Sequence, residues 1–293
     1  MPLSIPREEL MEKGHTACAG CGAALTMRYV LKALGPKSVV TIPASCWAVI
    51  PGEYPNISLD VPLVYTTFAS TGATISGIRE GLDQQGKEDY NVVGFAGDGG
   101  TADIGLQSLS AAMERGHNVL YIMYDNEAYM NTGIQRSGST PFGAWTTTTP
   151  VGSNRNYKKQ DKKIVAEMMI AQGVPYVATA TIAYPEDLER KISMTKSIKG
   201  PKFIQILSPC PPGWYYNSSD TVKISRLAVE TKVFPIYEYI QGKFRVFKPS
   251  KILPVKEYLA LQGRFAHLTE EEIAEIQLAV DRRWEELLKR EKQ

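Results

Sequence analysis

Cysteine is scarce in this chain: 293 residues hold four, and histidine is scarcer still, with three. No apolar run approaches the length that spans a bilayer, which excludes a transmembrane helix. The opening Met-Pro-Leu-Ser-Ile-Pro-Arg-Glu-Glu has no apolar core and is expected not to be a secretory signal. A formal charge of +2 gives no reason to expect nucleic acid or an anionic membrane as partner. Few cysteines without an export signal predict a reducing cytoplasm, where clustered thiols mean metal or redox chemistry rather than disulfides. Repeats and low-complexity segments are missing, and the composition is that of an ordinary globular protein. The pairs Lys158-Lys159 and Lys162-Lys163 read as a solvated helix start or an interface.

Short β-branched runs alternate with helical patterns. Strands are expected at Ser38 to Pro43, Leu63 to Thr67, Asn91 to Ala96, Val119 to Asp125, Val174 to Ala180 and Phe203 to Ser208. Helices are expected at Gly22 to Leu34, Thr71 to Leu82, Thr101 to Arg115, Lys162 to Gln172 and Pro185 to Lys196. The alternation predicts an α/β fold, a doubly wound, mostly parallel sheet covered on both faces. Residues 1–210 form the expected main domain, and residues 211–293 a C-terminal extension that docks onto other subunits. That extension ends in a helix from Glu270 to Lys289, with Thr269 as its N-cap. The Gly-, Thr- and Asn-rich segment from Asn131 to Tyr157 is too long for a connector and is a functional candidate.

The cysteines fall in Gly- and Pro-rich turns as Cys18-x2-Cys21-x24-Cys46, with Cys210 in Ser-Pro-Cys-Pro-Pro. Single thiolates placed in this way serve soft metals or iron–sulfur clusters. Spacing alone leaves open a [4Fe-4S] cluster, a structural zinc, or unrelated cysteines. In a doubly wound sheet, ligands collect beyond the carboxyl ends of the strands. Cys46 follows the first expected strand and Cys210 the last, so the thiols can converge on that edge.

The strand ending at Ala96 runs into Gly97-Asp98-Gly99-Gly100. Gly97-x-Gly99-x-x-Ala102 matches a dinucleotide-binding fingerprint, with Asp125 where a ribose-binding acid would sit. A bare carboxylate at Asp98 would repel a pyrophosphate, unless a divalent cation lies between them. Asn126 follows Asp98 by 28 residues, at the end of the next strand, where it can share that cation.

Gly97-Asp98-Gly99 followed by Asn126 at this distance resembles the thiamine-diphosphate motif. Asp125-Asn-Glu-Ala-Tyr-Met-Asn-Thr-Gly-Ile-Gln135 resembles the β subunit of the 2-oxoacid:ferredoxin oxidoreductases, and the four cysteines match that subunit's ligand pattern in order and spacing. The likeness continues through Arg226-Leu-Ala-Val-Glu230 and Tyr258-Leu-Ala-Leu-Gln-Gly-Arg264 and so covers essentially the whole chain. It implies a diphosphate-type thiamine-binding domain. Asp98 and Asn126 would bind Mg2+ through side chains and Ala128 through its backbone carbonyl, while Gly97 and Gly99 let the backbone approach the diphosphate. Cys18, Cys21, Cys46 and Cys210 would hold the [4Fe-4S] cluster. Asn131 and Thr132 would lie near the thiazolium and the 2-oxoacid; His15 is a candidate lining residue, and His117 and His267 read as structural or surface residues.

The implied activity is oxidative decarboxylation of a 2-oxoacid, with electrons passing through the cluster to ferredoxin and the acyl group usually leaving on coenzyme A. The carboxylate that activates the cofactor comes from a pyrimidine-domain partner subunit, and further clusters from a ferredoxin-like subunit. Two departures put pyruvate in doubt as substrate: the third cysteine stands in Ala-Ser-Cys46-Trp-Ala-Val-Ile-Pro-Gly-Glu-Tyr54, and Ala23 replaces an acidic residue of some pyruvate enzymes. Two other classes remain, a nonredox thiamine lyase or carboligase with structural zinc, and an NAD-binding module.

Overall fold

The computed structural model describes residues 5–292. Its strands are β1 Ser38–Pro43, β2 Leu63–Thr66, β3 Asn91–Gly97, β4 Leu120–Asp125, β5 Tyr176–Thr181, β6 Lys202–Leu207, β7 Tyr237–Ile240 and β8 Lys243–Val246. They form one sheet in the order β2-β1-β3-β4-β6-β5-β7-β8. β1 to β6 run parallel, and β7 and β8 close one edge antiparallel.

Side chains alternate across the strands, so each face receives its own helices. Val93, Phe95, Leu120, Ile122 and Tyr124 point to the face covered by α1 (Gly22–Leu34) and α5 (Pro185–Thr195). Val92, Ala96, Tyr121 and Met123 point to the face covered by α2 (Thr71–Asp83), α3 (Leu106–Glu114) and α4 (Val165–Ala171). β1, β4, β5 and β6 are buried at every position, as continuous apolar strands under two helical layers must be.

Two helices are shorter than the periodicity predicts. The expected Thr101–Arg115 helix is preceded by a π-type turn, Gly99–Asp103, before α3 begins. α4 begins only at Val165, because Lys162 and Lys163 reach inward to Asp125, Glu127 and Asp103, and Ile164 leaves the helical region at φ −95°, ψ 66°.

Beyond Cys210 the chain makes α6 (Pro211–Trp214), α7 (Thr221–Glu230), β7, β8, α8 (Lys256–Leu259) and α9 (Glu270–Glu291). This extension shares the sheet, since β7 pairs with β5. Its Trp214, Phe234, Tyr258, Phe265 and Val280 form a further core with Ala144 and Leu207 of the preceding chain. α9 starts at a capping box between Thr269 and Glu272, with acids in its first turn and Lys289 and Arg290 in its last.

At the carboxyl rim β1 leads to Cys46, β3 to Asp98, β4 to Asn126 and β6 to Cys210. The strand order reverses between β1 and β3, which opens a crevice there.

Candidate functional site

The register of β3 and β4 pairs Gly97 with Tyr124, so Asp98 and Asn126 leave neighbouring strands side by side. Asp98 is 0% exposed. A polar atom of the Asn126 amide lies 2.8 Å from Asp98 Oδ1 and 3.0 Å from the Ala128 carbonyl oxygen. With nitrogen in that place the amide donates to both. With oxygen there, three oxygens converge, and a hard divalent cation takes such a set. Burial pushes the Asp98 carboxyl well above its ordinary range, and the Asp125 charge adds to the push. Among the described residues, Asp98, Asp125 and Glu127 together face only the cations Lys162 and Arg264, so a cation at the three oxygens would offset an excess of buried negative charge. These residues suit Mg2+.

No side chain caps the start of the Gly99–Asp103 turn, which leaves its leading N–H groups able to meet an anion such as a diphosphate. A Cβ at Gly99 would lie 2.5 Å from Cε1 of Tyr129, whose hydroxyl donates to Asp103 Oδ2 at 3.0 Å. Glycine is needed there because an anchored ring fills the space.

Behind the turn lies a network to which the sequence reading gave no role. Lys162 Nζ is 2.5 Å from Asp125 Oδ2 and 2.7 Å from Glu127 Oε1. Arg264 Nη2 is 2.6 Å from Glu127 Oε2, and Gln205 Nε2 donates to Asp125 Oδ2 at 2.6 Å. Burial would raise Glu127, yet Lys162 and Arg264 hold it below its usual value. The lysine pairs are therefore not simply solvated: Lys158 is 1% exposed and donates to the Thr140 and Gln160 carbonyls, both at 2.8 Å. The signal available in sequence was slight, a lone Arg264 between Gly263 and Phe265 in an otherwise apolar stretch.

The four cysteines are free thiols. Cys21 is the N-cap of α1 and Cys210 that of α6, and Cys46 opens a 3-10 turn. Gly22 N donates to the Pro209 carbonyl at 3.1 Å, and a Cβ at Gly22 would lie 2.7 Å from that oxygen. The Cys18–Cys21 loop and the Cys210 turn thus pack backbone to backbone. The N–H groups of Ala24 and Ala23 face Cys21 Sγ, and that of Gly213 faces Cys210 Sγ. Burial first, and the other cysteines' charges with it, push Cys46 and Cys210 up to about 12. The cysteines raise one another's titration by mutual repulsion, which a positive centre among them would offset. Among the described residues, no three His, Cys, Asp or Glu side chains are gathered as ligands of one ion. Four thiols with no histidine or carboxylate among them are a donor set that iron–sulfur clusters and structural zinc sites both use.

The two groups are near enough for the Asp98 charge to contribute to the rise at Cys46, and Tyr124 is near both, its hydroxyl 3.0 Å from where a Gly97 Cβ would be. Asn131 and Thr132 stand exposed on a turn in which Gln135 Nε2 donates to the Thr132 carbonyl at 2.7 Å. Ser137, farther along the same loop, donates its hydroxyl to Asp98 Oδ2, a contact unforeseen from sequence. His15 Nδ1 accepts from Ala17 N at 3.4 Å, His117 pairs with Glu80 at 3.1 Å, and His267 packs on Tyr157.

Comparison with known proteins shows the family. The family "Thiamine pyrophosphate enzyme, C-terminal TPP binding domain" matches residues 48–206. Ketoisovalerate oxidoreductase subunit VorB of Pyrococcus horikoshii is 52% identical, over 98% of this chain and 95% of its own. Pyruvate synthase subunit PorB of Methanocaldococcus jannaschii is also 52% identical, over 95% of this chain and 96% of its own. In fold, the chain is similar to 2-oxoglutarate:ferredoxin oxidoreductase from Magnetococcus marinus, with a TM-score of 0.58, 21% identity, and 94% and 97% of the two chains covered. The resemblance read from sequence is borne out along essentially the whole chain, and the NAD-binding alternative falls. The chain belongs to the β subunits of the 2-oxoacid:ferredoxin oxidoreductases, hetero-oligomeric enzymes that use thiamine diphosphate, Mg2+ and iron–sulfur centres to decarboxylate 2-oxoacids oxidatively.

Proposed function

We propose that this chain itself carries both the thiamine diphosphate–Mg2+ site and one [4Fe-4S] cluster of its complex. Asp98, Asn126 and the Ala128 carbonyl hold Mg2+, Gly97 and Gly99 shape the diphosphate turn, and Cys18, Cys21, Cys46 and Cys210 hold the cluster. Bound thiamine diphosphate supplies the nucleophilic carbon and the electron sink for decarboxylation. The residues of this chain would hold the cation that neutralises the diphosphate and place the site beside an electron acceptor. Asn131 and Thr132, exposed on their turn, face the thiazolium and the 2-oxoacid. The observation that carries the reading is that the three-oxygen set and the cysteine turns leave the same carboxyl rim, with Cys46 near enough to feel the Asp98 charge.

The substrate is a 2-oxoacid with a small or branched aliphatic chain, in keeping with relatives named for pyruvate and ketoisovalerate. A pyrimidine-domain subunit supplies the activating carboxylate, a ferredoxin-like subunit relays electrons to ferredoxin, and coenzyme A takes the acyl group in the cytoplasm. Val49, Tyr65 and Ile104 stand exposed on or just beyond β1, β2 and β3, as expected where a partner closes the crevice. The domain carrying both sites spans residues 1–210, and residues 211–293 contribute to subunit docking. Among the described residues, no helix is long and apolar enough to cross a membrane.

The test is reconstitution. The isolated chain is expected to keep iron but turn over little, and the assembled complex to reduce ferredoxin with pyruvate or 2-oxoisovalerate and coenzyme A. Full activity from the isolated chain contradicts the partner requirement.

A further inference from the structure

We propose that Arg264, carried by the C-terminal extension, is a positioning residue for the metal–diphosphate site; this rests on Asp98, Asn126 and Ala128 being the Mg2+ ligands. The residue between two of those ligands, Glu127, sits at φ 65°, a left-handed conformation that side chains other than glycine adopt only when their surroundings over-determine it. Turning Glu127 back to an ordinary conformation would separate the Asn126 amide from the Ala128 carbonyl. The geometry of the ligand set therefore depends on whatever holds Glu127.

Three groups hold it. Thr140 Oγ1 donates to the Glu127 carbonyl at 2.7 Å, Lys162 pairs with Oε1, and Arg264 pairs with Oε2 at 2.6 Å. Lys162 is shared with Asp125, whereas Glu127 is the carboxylate that Arg264 pairs with. Arg264 is 2% exposed, and its Nε donates to Gln262 Oε1 at 2.9 Å. Its guanidinium also lies 3.8 Å over the Trp214 ring, and the Trp214 indole donates to the Asn126 carbonyl at 2.8 Å. One planar cation thus grips the ligand turn twice, through the Glu127 carboxylate and through the Asn126 backbone. Trp214 ends the short helix capped by Cys210, so the same grip reaches the thiol side. Lysine has neither the plane to stack nor a second nitrogen to reach Gln262 while the first pairs with Glu127, so it is no equivalent here.

The experiment uses the assembled complex with Arg264→Lys and reads the Mg2+ concentration for half-maximal activity, kcat at saturating Mg2+, and iron per chain. Loss of a partner outside the ligand set typically costs ~10- to 100-fold in metal affinity, and the Mg2+ requirement is expected to rise by that factor. kcat at saturation should fall far less, and iron should be retained. If Arg264→Lys does not assemble, the paired variant Arg264→Met with Glu127→Gln takes its place, because it leaves neither charge of the pair buried alone. An unchanged Mg2+ requirement in an assembled variant overturns the proposal. Asp98→Asn is measured alongside. If it too leaves the Mg2+ requirement unchanged, the ligand assignment has failed; if it alone raises the requirement, only the role of Arg264 has failed.

Discussion

The Ser137 hydroxyl donates to Oδ2 of Asp98 while Oδ1 of the same carboxylate faces the Asn126 amide. The long loop after β4 therefore closes over the end of β3, and an outer partner fixes which carboxylate oxygen is left for a cation. Ser137→Ala removes that donor without adding bulk. The expected outcome is an Mg2+ affinity lower by ~10-fold or more, measured by Mg2+ titration of the complex, with iron content unchanged.

Asp98→Ala should separate the two cofactor sites. Removing a central ligand of the three-oxygen set abolishes thiamine diphosphate retention, while the thiols on the neighbouring turns keep their iron. Paired thiamine and iron analysis of the purified complex checks this, and retention of thiamine diphosphate contradicts the assignment.

Gly22→Ala should do the reverse. Its Cβ would lie 2.7 Å from the Pro209 oxygen and 2.8 Å from the Pro209 nitrogen, a clash between two backbones that neither can cheaply relieve. Overpacking of this kind costs about 1–3 kcal/mol, and here it pries the Cys18–Cys21 loop away from the Cys210 turn. Lower iron per chain with normal thiamine diphosphate binding is the expected result.

Glu272 gives a pH dependence. Burial alone would raise its carboxyl, but the Tyr157 hydroxyl, the Thr269 N–H and Arg155 hold it down to about 2. A depressed folded-state value contributes stability above the ordinary value of 4.5, which is lost as pH falls toward about 2. Glu272→Gln should therefore be less stable than the parent at neutral pH, and the gap should close on acidification over that window. Thermal unfolding at stepped pH measures it.

Much of this was legible because strand ends are punctuated. Gly97-Asp98-Gly99 after β3 and Asn126 after β4 reported their own positions, and the cysteines fell in turns, where side chains serve ligands more often than cores. Less legible was anything that depends on contacts between distant segments. Nothing local to Arg264 says that it meets Glu127, 137 residues away, and nothing local to Ser137 says that it meets Asp98. The reading of Lys162 as part of a solvated helix start or an interface missed its buried role for the same reason, since its partners Asp125 and Glu127 arrive only through the fold. The pairing of β7 with β5 was hidden because the short strands after Cys210 lack the long apolar runs of the parallel core.

The central claim is that this chain holds an iron–sulfur cluster beside a thiamine diphosphate site. Anaerobic purification, with EPR after dithionite reduction and with iron, sulfide and thiamine analysis, tests it most directly. About four irons per chain are expected, as a [4Fe-4S] cluster held by four cysteines requires, together with its reduced-state signal. Zinc without iron on Cys18, Cys21, Cys46 and Cys210 would contradict it.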